Sequence, residues 1–305
     1  MDPITEILRS LRLEGALVAR AEGAGRWGVE SQALPCALFH AVVSGTAHFR
    51  SGDVSIPLAE GDVLVLCRGD AHVLADREDT QPHPYASFPM TREGVIPTLH
   101  AGTQGARTSI LCGSFTLQHA AAEHFTALLP RTIHISRARD SVAPWLDQSV
   151  RMLLESLEGE ERGADAVAAR VMETFFVHVL RTYFDTAPED SHGWLAGLSD
   201  PRIAKALANI HQDPAEAWTA AELAARVGMS RSSFFSRFAE LVGEPPVQYV
   251  RRWRMLAAAD LLRQSNASVA EVADQVGYGS ENAFARAFRR VIGETPGDYR
   301  RVAVA

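Results

Sequence analysis

The sequence predicts a mixed α+β chain with three parts: an N-terminal β-barrel or sandwich, a connecting pair of helices, and a C-terminal all-α domain with two helix-turn-helix motifs. Three observations support this fold class. Short β-favouring runs alternate with turns up to about residue 73, two apolar helical stripes follow, and one helical pattern occurs twice near the C-terminus. We therefore predict domains at residues 1–136, 137–198 and 199–305.

The N-terminal part has the pattern of a sheet protein. Strands are predicted for Leu38–Arg50, Val54–Ala59 and Val63–Cys67, and the turns between them contain Gly52 and Gly61. Turn signals at intervals of about 8 to 12 residues are typical of all-β barrels and sandwiches. This predicts a compact β domain before residue 136.

The middle part has two helical stripes, separated by a polar break at Glu158–Gly163. They must be buried against the β domain, against each other or against a second subunit. A turn-rich stretch, Asp185–Ser199, is the predicted linker. The residues of the two stripes are Leu146, Val150, Leu153, Leu154 and Leu157, then Val167, Val171, Phe175, Val179 and Leu180.

The C-terminal repeat begins twice with the same helix-start signal. Thr219 with Glu222, and Ser268 with Glu271, have the spacing of a capping box, in which hydroxyl and carboxylate bind backbone donors at a helix start. Apolar residues then recur at helical spacing in both copies. Each copy therefore predicts a short helix with one buried face.

A second helix follows in each copy. Gly228 and Gly277 permit a sharp turn, and Ser230 and Ser280 are placed to cap the next helix. Two such motifs about 50 residues apart have a spacing that would let one protein contact two successive turns of a DNA groove. The alternative is a helical bundle without a DNA-binding role. The buried positions of the second helices are Phe234, Phe238 and Leu241, then Phe284, Phe288 and Val291.

Charge and composition narrow the class of protein. The 105 residues from Pro201 carry 14 basic and 11 acidic side chains, a net charge of +3, whereas residues 1–200 have a net charge of −10. A basic C-terminal part beside an acidic N-terminal part favours binding of nucleic acid by the C-terminal part. The sequence has no apolar run of 18 residues, no signal-peptide pattern, and only three cysteines. We therefore predict a cytoplasmic protein without a membrane partner.

These motifs, taken in order, resemble the AraC-type transcription regulators over about Leu198–Arg301. The specific marks are the VGMS and VGYGS turns, the Gly-Glu-Pro-Pro and Gly-Glu-Thr-Pro stops, and a joining helix at Arg251–Leu262. The resemblance implies a transcription regulator that binds double-stranded DNA in a sequence-specific manner. It also implies RNA polymerase as a partner if the protein is an activator.

The outer faces of the two second helices supply the candidate DNA-binding residues. Asn282 and Arg286 suit bidentate contacts to adenine and guanine edges, and flanking arginines suit phosphate. For any one of these side chains, an ordinary solvated surface position is the alternative. The candidates are Arg231, Ser232, Phe235, Ser236, Arg237, Ser280, Asn282, Arg286, Arg289 and Arg290.

The stretch Gly61–His72 resembles the second motif of cupins, although Cys67 stands where proline is usual. The first cupin motif, with paired histidines and a glutamate, is missing in standard form, and its strand offers only His40. The resemblance implies a cupin-like sensor domain for a small-molecule or stress signal. In AraC-type regulators with this domain, the following helices often mediate dimerisation, which implies a homodimer.

His40 and His72 are the candidate ligand-binding pair, because strand alternation places His40 on the same face as Val42 and the cupin resemblance implies that His72 also points inward. They could contact a small effector, or form a hydrogen-bonded pair without a ligand. Two imidazoles without a third ligand make a poor metal site, so we predict no metal, no cofactor and no enzyme activity. One alternative is a metal-dependent cupin enzyme with a DNA-binding tail. Another is a redox sensor that uses Cys67, beside Arg68, and Cys112.

Overall fold

The structure, a computed structural model, describes residues 13–91, 96–117, 126, 129–137, 144–158, 163–186, 197 and 200–304. The chain divides into two compact units. One consists of Leu13–Leu117 and Leu129–Ala187, and the other is built mainly of Pro188–Ala305. The N-terminal residues 1–12 and nearly all of the predicted linker lie outside the described residues. The predicted domain boundaries stay predictions, and the two middle helices group with the sheets.

Two sheets form the first unit. Among the described residues, a seven-stranded sheet has the order β12-β6-β3-β11-β1-β10-β9, and a five-stranded sheet has the order β5-β4-β7-β2-β8. The strands are β1 (Leu13–Ala24), β2 (Gly28–Ser31), β3 (Ala37–Ser44), β4 (Thr46–Ser51), β5 (Val54–Ala59), β6 (Val63–Leu66), β7 (His72–Ala75), β8 (His83–Pro84), β9 (Met90–Thr91), β10 (Thr98–Gly102), β11 (Arg107–Leu117) and β12 (Thr132–Ile135).

The predicted single strand Leu38–Arg50 is two strands, β3 and β4, which belong to different sheets. Gly45 separates them with a φ of +80°, and a Cβ atom there would lie 2.3 Å from the carbonyl oxygen of Arg107. Only glycine tolerates both conditions without strain. The chain therefore leaves one sheet and enters the other at this residue.

The two sheets share one apolar core, which joins inner side chains of both. The described strand pairings form two sheets, so closure into a barrel stays a prediction. Core residues of the larger sheet are Leu38, Val42, Leu64, Leu66, Leu99, Ala101 and Ile110, and those of the smaller sheet are Val29, Ala47, Phe49, Leu58 and Leu74.

Two helices, α1 (Pro144–Glu158) and α2 (Ala164–Thr186), pack against each other, and α2 also packs against β1. An aromatic cluster fixes α2 on the sheet. The ring centre of Phe175 lies 5.0 Å from that of Phe39, and Phe176 lies 4.6 Å from Phe115. Phe175 is therefore buried against the sheet, whereas Val167 at the start of the same stripe is 52% exposed.

Seven helices are described in the second unit, and they follow the predicted repeat. Both capping boxes and both serine caps are present, which confirms the four predicted helix starts. No helix of the described chain is long and apolar enough to cross a bilayer. The helices are α3 (Pro201–Gln212), α4 (Ala220–Arg226), α5 (Arg231–Val242), α6 (Pro246–Gln264), α7 (Val269–Gln275), α8 (Glu281–Ile292) and α9 (Pro296–Val304).

The turn glycines of the two motifs have the predicted left-handed conformation. Gly228 has a φ of +68° and Gly277 a φ of +77°. A Cβ atom on Gly277 would also lie 2.4 Å from the carbonyl oxygen of Ala215. The second turn therefore requires glycine for its conformation and for its close contact with another loop.

We expect Phe175→Ala to lower the free energy of unfolding by about 3–5 kcal/mol, because it removes a fully buried ring from the cluster between α2 and the sheet. Urea denaturation of the full chain measures this. Phe235→Ala is the matched control, since Phe235 is 45% exposed and its truncation is expected to change stability by no more than about 0.5 kcal/mol. Similar losses for both variants would contradict the assignment of Phe175 to the core.

Candidate functional site

The helix α5 is the second helix of the first helix-turn-helix motif, and its outer face is exposed. Ser232, Phe235 and Ser236 lie on this face, while Phe234 and Phe238 are fully buried on the other. Arg231 begins the helix and is exposed. The structure thus brings the predicted residues of this helix to one accessible surface.

Arg237 of the same helix is engaged within the protein. Its Nε donates to Asp200 Oδ2 over 3.0 Å, and its Nη1 lies 3.4 Å from Glu240 Oε2. Burial opposes the ionisation of Asp200, but hydrogen bonds from Arg237 and from the backbone amides of Ile203 and Arg202 lower its pKa. Asp200 is therefore a carboxylate that caps α3 and holds Arg237 at the same time.

The helix α8 is the equivalent helix of the second motif. Asn282 and Arg286 lie on its exposed face, and Arg289 and Arg290 are exposed in its last turn. These three arginines have no acidic partner among the residues that the structure describes. Ser280 caps the helix, and its Oγ accepts from the amide of Ala283 over 3.4 Å. Ser280 therefore has a structural role as a helix cap.

Arg254, on the joining helix α6, ties the two motifs together. Its guanidinium donates to the carbonyl oxygens of Pro214 and Glu216, over 2.7 and 2.8 Å, and to that of Ala215 over 3.3 Å. It also donates to the carbonyl oxygen of Gly277, in the turn of the second motif, over 3.3 Å. One side chain thus holds the loop before the first motif and the turn of the second.

The two predicted histidines meet between the two sheets of the first unit. His40 extends from β3 and His72 from β7, and their Nε2 atoms lie 3.0 Å apart. His40 Nδ1 lies 3.1 Å from Cys112 Sγ, and His72 Nδ1 lies 2.9 Å from the carbonyl oxygen of Asp70. Cys112, His40, His72 and a backbone carbonyl therefore form one hydrogen-bonded chain.

The direction of each hydrogen bond follows from the carbonyl at the end of this chain. A carbonyl oxygen only accepts, so His72 donates from Nδ1, and neutral His72 accepts at Nε2. His40 must then donate from Nε2 and accept at Nδ1 from the Cys112 thiol. Every polar atom of the chain is paired with all three side chains neutral.

Burial favours the same neutral state. Desolvation lowers the pKa of His40 well below 6.5, and the nearby His72 lowers it further. Desolvation also lowers the pKa of His72, against opposing effects of the Asp70 carbonyl and carboxylate. For Cys112, burial raises the pKa to about 12. All three shifts therefore favour the uncharged form of these groups at neutral pH.

The two candidate redox cysteines, Cys67 and Cys112, both have raised pKa values because of burial. Burial raises the pKa of Cys67 to about 12, and although Arg68 lowers it as predicted, the desolvation effect is larger. Cys112 belongs to the histidine chain, and Cys67 follows β6. Because thiolate is the reactive form, neither environment favours oxidation, and the redox role stays a prediction.

An interior cavity of about 390 Å³ opens beside the histidine chain. Its lining is mainly apolar, and the exposed side chains around it include Glu30, Gln32, Leu34 and Tyr85. His40, His72 and Cys112 are polar members of this wall. The apolar lining residues include Ala21, Trp27, Val29, Leu38, Leu74, Leu99 and Ile110.

Sequence reasoning missed most of this lining, and it missed Asp200 and Arg254. The signal for Asp200 was present, since an aspartate directly before Pro201 is a common helix start. Arg254 lies in a helix with several arginines and has no distinguishing local pattern. The lining residues come from strands whose pairing partners are distant in sequence.

Comparisons with known proteins agree with both units. Residues 2–185 match the cupin family, and residues 223–302 match the helix-turn-helix domain family. The chain is 36% identical over 304 residues to an AraC-like transcription regulator of Streptomyces lividans, and the match covers 99% of this chain and 98% of that protein. This chain belongs to the AraC family of transcription regulators. The chain is therefore a DNA-binding regulator with an N-terminal cupin domain.

Two more known proteins are similar to this chain, one over its whole length and one over its C-terminal part only. The HTH-type transcriptional regulator AlkR of Acinetobacter baylyi is 27% identical over 308 residues, with 99% of each chain covered. The DNA-binding domain of AdpA, solved in complex with a target DNA, is 38% identical and has a TM-score of 0.32. That match covers 34% of this chain and 92% of the solved one.

We expect Asp200→Asn to strengthen DNA binding by this AraC-family regulator and to make the dependence of log K on log salt steeper by about 0.9, because Arg237 becomes available to a phosphate. Asparagine still caps α3, so the helix start is preserved. Salt titrations of DNA binding measure the slope. Adding Arg237→Ala should cancel the gain, and a gain that persists in the double variant would contradict the release of Arg237.

We expect the free energy of unfolding to fall as the pH drops below about 6.5, because His40 and His72 have lowered pKa values in the folded state and the unfolded chain binds the protons first. Each histidine contributes at most about 1.4 kcal/mol per pH unit. Urea denaturation between pH 7.5 and 5.5 measures this. The double variant His40→Gln/His72→Gln should show a flatter profile, and an unchanged slope would argue against neutral buried histidines.

Proposed function

We propose that the cupin domain of this regulator binds a neutral, mostly apolar small molecule in the interior cavity and that binding changes its action on DNA. The observation that supports this most is a mainly apolar cavity of about 390 Å³ in whose wall His40, His72 and Cys112 are already hydrogen-bonded to one another. A ligand with a polar group deep in the cavity would have to break that chain. An apolar body avoids this cost.

The rim of the cavity favours a particular orientation and charge of the ligand. Glu30 and Tyr85 contribute to the lining and are exposed, so a hydroxyl or similar neutral group at this end could remain hydrated. The carboxylate of Glu30 disfavours a ligand anion beside it. We therefore propose an effector with an apolar body inside and a neutral polar end at the rim.

We propose that the two sheets form the closed barrel of a cupin and that the protein acts as a regulator rather than as an enzyme. The relatives are transcription regulators, which supports this. Within the described ranges, no group of three His, Cys, Asp or Glu residues could hold a metal ion. Because those relatives are regulators, the metal-dependent enzyme is not favoured.

On the DNA side, we propose that Asn282 and Arg286 contact base edges and that Arg231, Arg289 and Arg290 contact phosphates. Their exposure on the α5 and α8 surfaces supports this division, since groups on the outer helix face reach bases and flanking cations reach the backbone. Arg237 contacts phosphate only when Asp200 releases it. Ser232, Phe235 and Ser236 complete the proposed contact surface of the first motif.

We also propose that the protein forms a homodimer through the outer face of its helical hairpin. Met152 on α1 is 39% exposed and Val167 on α2 is 52% exposed, and both line a shallow apolar groove with Val171. A second copy that buries this groove would remove the apolar surface from water.

RNA polymerase remains the expected partner if the protein activates transcription.

Binding of primary alcohols of increasing length to the full chain tests the effector proposal. We expect the affinity to rise about fourfold per methylene, following the free energy of burying a CH₂ group, until the cavity is filled. Fatty acids of the same length should bind more weakly because of Glu30. Ligand-induced thermal stabilisation measures both series.

The variant Ala21→Phe is expected to fill part of the cavity and to abolish this stabilisation while DNA binding without ligand is retained. Val54→Phe is the matched control, because Val54 is 43% exposed on β5 and is not part of the cavity lining. Equal stabilisation by alcohols in both variants would place the binding site elsewhere.

A further inference from the structure

We infer that Phe235 reads the C5-methyl group of a thymine in the DNA half-site of the first motif. A single exposed apolar side chain needs no explanation by itself. Phe235, however, lies on the outer face of α5, which is the surface that the helix-turn-helix motif presents to DNA. The inference rests on the proposed contact faces and adds the chemistry of one base position.

The structural repeat shows which positions of the two recognition helices, α5 and α8, are equivalent. The serine caps, the left-handed glycines at the C-termini and the two buried phenylalanines of each helix are all 50 residues apart. Phe235 is therefore equivalent to Ala285, and Ser236 to Arg286. The two helices present different chemistry at the same places.

The two cations of α5, Arg231 and Arg237, are both assigned away from the base edges. Arg237 is held by Asp200 and Glu240, and Arg231 is the first residue of the helix. The remaining outer side chains, Ser232 and Ser236, are short. The benzyl group of Phe235, 45% exposed, is the largest apolar group that this face presents.

The major groove of DNA offers a phenylalanine one apolar feature, the methyl group of thymine. The other groups on the base edges are hydrogen-bond donors and acceptors, whose desolvation by a benzyl group is unfavourable. A thymine therefore satisfies this position, whereas cytosine, adenine and guanine do not. The second motif, with Asn282 and Arg286, favours adenine and guanine in its own half-site.

The test is a uracil scan of an operator that is selected with the full-length protein from random duplex DNA. Uracil in place of thymine removes only the methyl group. At one thymine of the first half-site, we expect the substitution to weaken binding about fourfold, the effect of exposing one methyl-sized group. Phe235→Ser should bind the thymine and uracil operators equally, whereas Phe235→Leu should still distinguish them.

Two further variants separate this inference from the assignment of the faces. Val247→Ala alters another exposed apolar residue, 46% exposed on α6, and should leave the uracil effect unchanged. Arg286→Ala should relax the base preference in the other half-site only. If Arg286→Ala does so but the uracil effect is missing or persists in Phe235→Ser, the thymine inference is overturned and the proposed faces stand.

If neither Arg286→Ala nor Phe235→Ser changes the preference for any base, the proposed faces fail together with the inference. A change of oligomeric state in DNA-free Phe235→Ser, without a change in the uracil effect, would assign this side chain to a protein contact and would also overturn it.

Discussion

A single arginine on the joining helix is hydrogen-bonded to segments of both helix-turn-helix motifs. Arg254 donates hydrogen bonds to carbonyl oxygens at Pro214, Ala215 and Glu216 and at Gly277, so that the joining helix is bonded both to the loop before the first motif and to the turn of the second. Successive major-groove sites on one face of DNA recur at the helical repeat, so two recognition helices bind together only if their separation is fixed. The planar guanidinium, with five donors in a rigid fork, can bind several carbonyls at once, which a lysine ammonium cannot do in the same geometry.

In the interior of the cupin domain, one chain of hydrogen bonds likewise connects separate elements. The chain from Cys112 through His40 and His72 to the Asp70 carbonyl joins the two sheets and uses every ring nitrogen. Because each member is neutral and paired, the buried chain avoids the cost of an unsatisfied polar atom. The same property decides what the adjacent cavity can accept, since a ligand gains apolar burial there but finds no unpaired ring nitrogen among these histidines.

Local signals predicted the second unit well, and the first unit only in part. Capping boxes, serine caps and glycine turns are short-range features, so the repeat could be predicted from neighbouring residues alone. The sheets depend on pairings such as β1 with β10, where Arg20 is opposite Thr98, and no local pattern encodes such a partner. For the same reason His40 and His72 could be proposed as inward-facing, but their link to Cys112 could not. The pairing of Arg237 with Asp200 was missed because the residues are 37 positions apart.

The pairing with Asp200 also controls whether one cation of the DNA-binding unit, Arg237, is available. Asp200 accepts from the first amides of α3 through one carboxylate oxygen and from Arg237 through the other. The two roles depend on the same side-chain position, so unwinding of the first turn of α3 would also weaken the hold on Arg237. Because Asp200 directly follows the predicted linker, a rearrangement of the linker that displaced Asp200 would change by one the number of cations available to phosphate. A ligand could use this device only if it binds the two arrangements with different affinity, which makes the differential binding, and not the pairing itself, the source of regulation.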